Sequence, residues 1–279
     1  MNAAPRTLAS LASQRVAAHG RLAVRFAEGR TRIAELYQDG AAKLRVPRRD
    51  GPGLEAVLIN TAGGLTGGDR LSWEVAVGAG ATLTVTTQAC ERIYRSAEGQ
   101  AQMRSAVSVG QGARLAWLPQ ETILFDRSAL SRSLDVDLAD GAEALISETI
   151  IVGRLAHGET VEHAAFRERW KVRQGGRLVH AEELALGPAI QAQLAARAAG
   201  NGAAAFAAIL LIASEADTLL ERAREIAGDA GGVSFWRVGG TGKLLARLVA
   251  ADGYALRQRL VPLLGLLNRG AELPKLWSL

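Results

Sequence analysis

The sequence feature that most restricts the fold is a strand–turn–strand unit that is written more than once. Val75-Ala-Val77-Gly-Ala-Gly80-Ala81-Thr-Leu83 returns thirty-two positions later as Val107-Ser-Val109-Gly-Gln-Gly112-Ala113-Arg-Leu115. A looser copy follows at Val136-Asp-Leu138-Ala-Asp-Gly141-Ala142. Each unit joins two apolar strands through a tight turn whose last glycine supplies a positive φ. Hairpin units that cannot bury their apolar faces alone stack on one another, which predicts an elongated, solenoid-like β body. On the sequence alone, unrelated hairpins of ordinary kind remain the alternative.

The same period-2 pattern extends on either side. Leu22, Val24 and Phe26 alternate with polar neighbours, as do Leu71, Trp73, Val75 and Val77, and later Leu134, Val136 and Leu138. Turn signals separate these runs, among them Asp39-Gly40, Gly51-Pro52-Gly53, Gly67-Gly68, Asp140-Gly141 and Gly175-Gly176. The pattern divides the chain into a flexible N-terminus (1–20), a β-rich body (21–186) and a smaller mixed α/β or helical C-terminal section (187–279) packed on the body. In that last section Phe206–Ala213 is expected as a buried strand. Ser214 is expected to cap a helix over Glu215–Ala227 that stops at Gly228. Val233–Val238 is expected as a strand, Gly242–Ala250 as a short helix, and Tyr254–Asn268 as a longer helix bent or broken near Pro262.

Composition narrows the class. Of 279 residues 48% are apolar and 22% charged, enough for a buried core and too apolar for a disordered chain. The net charge is +5, but arginine supplies 29 basic residues against four lysines, and the clusters are short and interrupted. That is a coding bias more than a nucleic-acid footprint, and no nucleic-acid partner is expected. A single cysteine, Cys90, excludes an internal disulfide and suits a reducing, cytoplasmic setting. The longest apolar run, Ala203–Ala213, is too short to cross a bilayer as a helix, so no membrane association is expected.

Catalytic motifs fail when tested. Gly239-Gly-Thr-Gly-Lys243 looks like a phosphate loop, but Arg237 stands where the first glycine belongs and Leu244 replaces the magnesium-binding hydroxyl. A glycine-rich turn before a helix is the plainer reading. No Gly-x-Ser-x-Gly elbow is present, and Cys90, beside Glu91 and Arg92, is expected to be a small buried thiol. The chain has four histidines; His157 and His163 are the weaker metal candidates, with His180 beside them, and no spacing points to a dedicated site. What stands out instead is polar text inside apolar strands: Asn60, Thr61, Thr66 and Asp69; Thr84, Thr86, Thr87 and Gln88; Gln120, Glu121, Thr122 and Asp126. Buried polar groups must find partners, so a row of them would form a hydrogen-bonded network or a wet channel.

At these residues the chain resembles a known family. "LINTAGGLTGGDRLSWEVAVGAGATLTVTTQACERIYRS" (58–96) is similar to the signature of the urease accessory protein D family, called H in some bacteria. "LYQDGAAKLRVPR" (36–48), "WLPQETILFDRSALSRSLDVDL" (117–138), "GRLAHGE" (153–159), "RERWKVRQGGRLVHAEEL" (167–184) and the closing "ELPKLW" (272–277) agree with it. Cys90 departs from the pattern, where a second alanine of "TTQAA" is expected. The resemblance implies an elongated β protein that is not an enzyme. It would bind apo-urease and act with accessory proteins F and G, the latter a GTPase, in loading nickel. It further implies no tightly bound cofactor and a transient passage of Ni²⁺ through the β body. The carboxylates expected to line that passage are Asp69, Glu121, Asp126, Glu148 and Glu159, since oxygen ligands hold a divalent ion loosely. Leu244, Leu245, Leu248, Leu260 and Leu263 are candidates for a partner-docking surface, with core packing as the competing role. A stand-alone metal-binding chaperone is the alternative function, and a carbohydrate-binding solenoid is disfavoured by the few aromatics.

Overall fold

The computed structural model describes residues 15–154 and 157–278. Among these residues seventeen strands follow one another with few helices. The first group is β1 (Ala17–Ala27), β2 (Arg30–Asp39), β3 (Ala42–Arg45) and β4 (Leu54–Asn60). Then come β5 (Arg70–Val77), β6 (Thr82–Thr87), β7 (Glu91–Ile93), β8 (Ala101–Val109), β9 (Arg114–Leu118) and β10 (Thr122–Leu124). β11 (Ser128–Leu138), β12 (Glu143–Val152), β13 (Ala164–Gln174) and β14 (Arg177–Leu186) complete the body. Ala17–Gly20, expected within a flexible tail, belong to β1: all four pair with β5, and His19 and Gly20 pair with β2 as well.

The chain winds as a solenoid. Each turn places one strand in a seven-stranded sheet (order β14-β13-β11-β8-β5-β1-β2) and the next in a ten-stranded sheet, then returns. Within the first sheet β1, β5, β8, β11 and β13 are parallel neighbours. Within the second, β4, β6, β9 and β12 are parallel. The short β7 and β10 pair in parallel and form a third side between them. The sequence echo is the register itself: Val75 lies opposite Val107, which lies opposite Val136, and Leu83 lies opposite Leu115. Side-chain alternation then sends Val75, Val107, Val136, Leu83 and Leu115 into one core between the sheets.

The repeated turns show two distinct uses of glycine. Gly80, Gly112 and Gly141 hold φ of +69°, +63° and +71°, as the turn requires. Gly110 is needed for space, since a Cβ there would sit 2.7 Å from the backbone N of Ala79 in the preceding turn.

The C-terminal section extends the second sheet and then covers its outer face. α1 (Ile190–Ala195) leads to β15 (Ala205–Ile212), which is antiparallel to β12; β16 (Gly231–Val238) and β17 (Thr241–Ala250) follow as a hairpin. Gly242–Ala250, expected as a helix, is therefore a strand. Its leucines at 244, 245 and 248 mimic helical spacing, but Leu244, Ala246 and Leu248 alternate onto one buried face while β15 and β16 take up the backbone. Ser214 does not cap a helix; the chain first makes a 3₁₀ turn over Ala216–Leu219, and α2 (Leu220–Ala227) continues from it, ending at Gly228 as expected. α3 (Gly253–Leu267) starts at Asp252, whose side chain accepts from Ala255 N, and runs unbroken through Pro262. A stripe of buried Leu256, Leu260, Leu263, Leu264 and Leu267 holds it on the sheet despite the missing amide. No helix among the described residues is long and apolar enough to cross a membrane.

The two roles of glycine separate experimentally. Gly110→Ala should destabilise the chain by about 1–3 kcal/mol, as overpacking does. Gly112→Asn, with nothing within 4 Å of its added Cβ, should change stability far less. Denaturant unfolding of both variants measures the difference.

Candidate functional site

Strand periodicity puts Leu130, Arg132 and Leu134 of β11 on the inward face, and likewise Phe166, Glu168 and Trp170 of β13. Arg132 lies opposite Glu168 in the parallel register. From the facing sheet, β12 alternation turns Glu148 inward between Ile146 and Ile150. A charged residue in phase with an apolar face has nowhere to go but the core.

There the charges meet. Arg132 Nη1 lies 2.8 Å from Glu148 Oε2 and its Nη2 2.5 Å from Glu168 Oε1, so one guanidinium ties the two sheets together. It also donates to Thr122 Oγ1 at 2.8 Å. Trp117 Nε1 donates to Glu148 Oε1 at 3.1 Å. Arg132, Glu148 and Glu168 are each no more than 6% exposed. An uncompensated charge at such depth would be costly, so the cluster stands or falls as a unit.

Arg132, Glu148 and Thr122 of this cluster form the floor of a cavity of about 170 Å³ between the sheets. Trp73, Trp117 and Met103 supply apolar wall; Asn60, Thr87, Gln88, Gln120 and Thr122 supply polar wall; Cys90 and Glu91 stand toward the rim, where Gly63, Gln88 and Ala89 are exposed. Glu91 accepts from Asn60 Nδ2 at 3.1 Å. Burial pushes the Glu91 carboxyl up to about 7. Burial also raises Glu148 to about 7, against the pull of Arg132. Two carboxyls on one cavity thus change charge near neutral pH. The Gln120 amide nitrogen is buried with no hydrogen-bond partner among the described residues.

The expected carboxylates distribute unevenly over this geometry. Glu148 lines the cavity. Glu121 sits behind its wall, bound by Arg257 Nε at 2.6 Å and accepting from Cys90 Sγ at 3.3 Å. Asp69 is buried as a backbone brace, taking Val16 N at 2.9 Å and Thr66 N at 2.7 Å. Asp126 takes the amides of Glu162 and His163, and Glu159 is held by Arg154 at 2.8 Å, and neither lines the cavity. Hydrogen bonds from those backbone amides and from Arg154 hold Asp126 and Glu159 below the usual carboxylate range. His157 and His163 are exposed on the same loop. No cluster of three or more His, Cys, Asp or Glu side chains forms a metal cage among the described residues.

Cys90 is no reactive thiolate: burial, followed by the charge of Glu121, pushes its thiol up to about 11. The leucines expected as docking candidates lie inside the fold. Leu244, Leu248, Leu260 and Leu263 are at most 1% exposed, and half-buried Leu245 packs on the inter-sheet core. The first four form the core between the second sheet and its helical cover. The Gly239–Lys243 segment is the β16–β17 hairpin turn, with a strand where a phosphate loop has its helix.

Three residues of the site escape the sequence reading: Arg132, Glu168 and Glu91. The first two carry a signal, a charge in step with inward leucines and aromatics. Glu91 carries none, because only folding brings β7 beside Asn60. The cluster has a direct check: Arg132→Met should destabilise the protein by about 3–5 kcal/mol. Adding Glu148→Gln and Glu168→Gln should restore much of that in thermal unfolding.

Known proteins agree with this architecture's sequence. The family model described as UreD urease accessory protein matches residues 17–278. The chain is 57% identical over 267 residues to a urease accessory protein UreD of Mesorhizobium japonicum, covering 96% of this chain and 95% of that one. It is 57% identical to urease accessory protein UreD 1 of Brucella anthropi, covering 97% of each. Against UreD 1 of Brucella abortus the identity is 55%, over 98% of this chain and 97% of the relative. A match that spans every strand of the solenoid and both ends of the helical cover settles the relationship: the chain belongs to the UreD urease accessory protein family.

Proposed function

We propose that this urease accessory protein, a maturation factor and not a catalyst, docks on apo-urease with accessory proteins F and G. There it guides nickel toward the urease active site through the cavity between its sheets. The observation that carries the reading is the cavity floor and rim, where Glu91 and Glu148 both hold pKa values near 7. A carboxyl poised there exchanges its proton for a divalent cation near neutral pH and gives the ion up again on reprotonation. Oxygen donors that do not converge into a cage suit passage better than storage, which favours a conduit over the alternative, a stand-alone metal-binding chaperone. Arg132 is shared between Glu148 and Glu168, so Glu148 is only partly neutralised and a cation entering the cavity can compete for it. GTP would belong to the G partner, in keeping with the hairpin at Gly239–Lys243.

The test is a urease operon in which only this chain is altered. Deletion should leave urease with little nickel, and restoring the chain should reload it. Glu91→Gln with Glu148→Gln should lower the metal content of purified urease severalfold while the complex still co-purifies. Glu159→Ala and Asp126→Ala should leave it near normal. Loading by the unaltered chain should fall as pH drops from 8 to 6, since both carboxyls take up protons across that window, and the double variant should lose this dependence. Fully loaded urease in the deletion strain would overturn the maturation role, and normal loading by the double variant would overturn the conduit.

A further inference from the structure

The β2 end of the solenoid carries two features that the fold does not use. The first is an open groove of about 730 Å³ between the start of β2 and the 46–54 connection. Arg30, Arg32, Arg48 and Arg49 line it against a single carboxylate, Asp50. Some of this charge is answered internally, by Glu28 2.5 Å from Arg32 and Glu55 2.7 Å from Arg49. Arg30 donates to the Gly51 carbonyl, and exposed Arg48 has no ion-pair partner among the described residues.

The second feature is the edge of the seven-stranded sheet. β2 pairs with β1 on one side and is the last strand in the order. At its start Thr31 N donates to Pro52 O, so the groove wall closes the edge there. From Ile33 to Tyr37 no strand among the described residues pairs on the outer side. Ile33, Leu36 and Tyr37 are 42%, 39% and 49% exposed along that stretch. Edges of monomeric sheets are usually blunted by charge; the one charge between Ile33 and Tyr37, Glu35, is taken up by Arg21 of β1 at 3.1 Å, and an unpaired edge rich in apolar side chains is a template for another strand.

We infer that this end of the molecule docks an extended, acidic segment of a partner protein. The segment adds as a further strand along Ile33–Tyr37 and lays its carboxylates against Arg30, Arg32 and Arg48. A protein strand fits better than a nucleic acid, because main-chain edge groups and apolar side chains offer little to a phosphate backbone. A second copy of this chain fits poorly: the closed edge at Thr31 leaves only a short overlap, and the groove would meet another arginine-rich groove. The inference stands apart from the nickel reading, since the groove and the cavity share no lining residue.

Fluorescence anisotropy with the full chain tests it, using a labelled decapeptide of alternating Glu and Leu. Arg30→Gln/Arg32→Gln/Arg48→Gln should weaken peptide binding by about tenfold, and added salt should weaken it further. Ile33→Ser/Tyr37→Ser should weaken it severalfold at unchanged salt sensitivity. Thermal unfolding should show both variants folded, since every substituted side chain is exposed. Several outcomes overturn the inference: no peptide binding up to millimolar concentration, equal binding of the Lys–Leu counterpart, or binding untouched by the substitutions. So would a single-stranded oligonucleotide that outcompetes the peptide, or sedimentation showing a dimer that the Ile33/Tyr37 substitutions dissolve.

Discussion

The structure depends on in-register parallel stacking of successive solenoid turns. Once Val75, Val107 and Val136 lie opposite one another, each strand's inward set is committed to the same core. A slip of one residue would turn every one of them outward. This constraint explains why the turns are so uniform and so tight. The core mixes small residues repeated in register, such as Val75, Val107 and Val136, with the rings of Trp73, Phe166 and Trp170.

The same stacking makes the buried charge cluster possible. Parallel register sets Arg132 beside Glu168, and the opposing sheet delivers Glu148 across the gap. An isolated pair at this depth would gain little over apolar packing. Three charges joined with Thr122 and the Trp117 indole satisfy most of one another's hydrogen-bonding demand. The apolar layer is interrupted at this level, and the cavity occupies the interruption. The two carboxyls raised to about 7 are those that burial desolvates at this interruption, Glu91 and Glu148.

The C-terminal section shows how tertiary pairing overrides local spacing. Leu244, Leu245 and Leu248 suit a helix when read along the chain, and suit a strand once β15 offers its edge. The adjacent turn at Gly239-Gly240 favours a hairpin and resolves the ambiguity. α3 gives the opposite lesson, since a proline that would break an isolated helix is carried by the leucine stripe buried beneath it. The C-terminal strap reaches back over the sheet as well, where the Trp277 indole donates to the Leu118 carbonyl at 3.1 Å. The cover thereby touches the strand that leads into the cavity wall.

By itself the sequence determined the β architecture, the repeating unit, its glycine turns and the family. Those rest on local periodicity and on ordered motifs, which survive without knowledge of contacts. It also marked Asn60, Thr87, Gln88, Gln120 and Thr122 as polar text in apolar strands, and these residues do share one cavity wall. Only the tertiary structure decided where each acid stands. Asp69, Asp126 and Glu159 stand equally near the motifs, yet backbone amides and Arg154 engage them. Glu91 and Glu148 differ through their surroundings: strands distant in sequence enclose them, and desolvation there sets their protonation. A carboxylate's chemistry depends on what surrounds it in space, and that is fixed only when the turns have stacked.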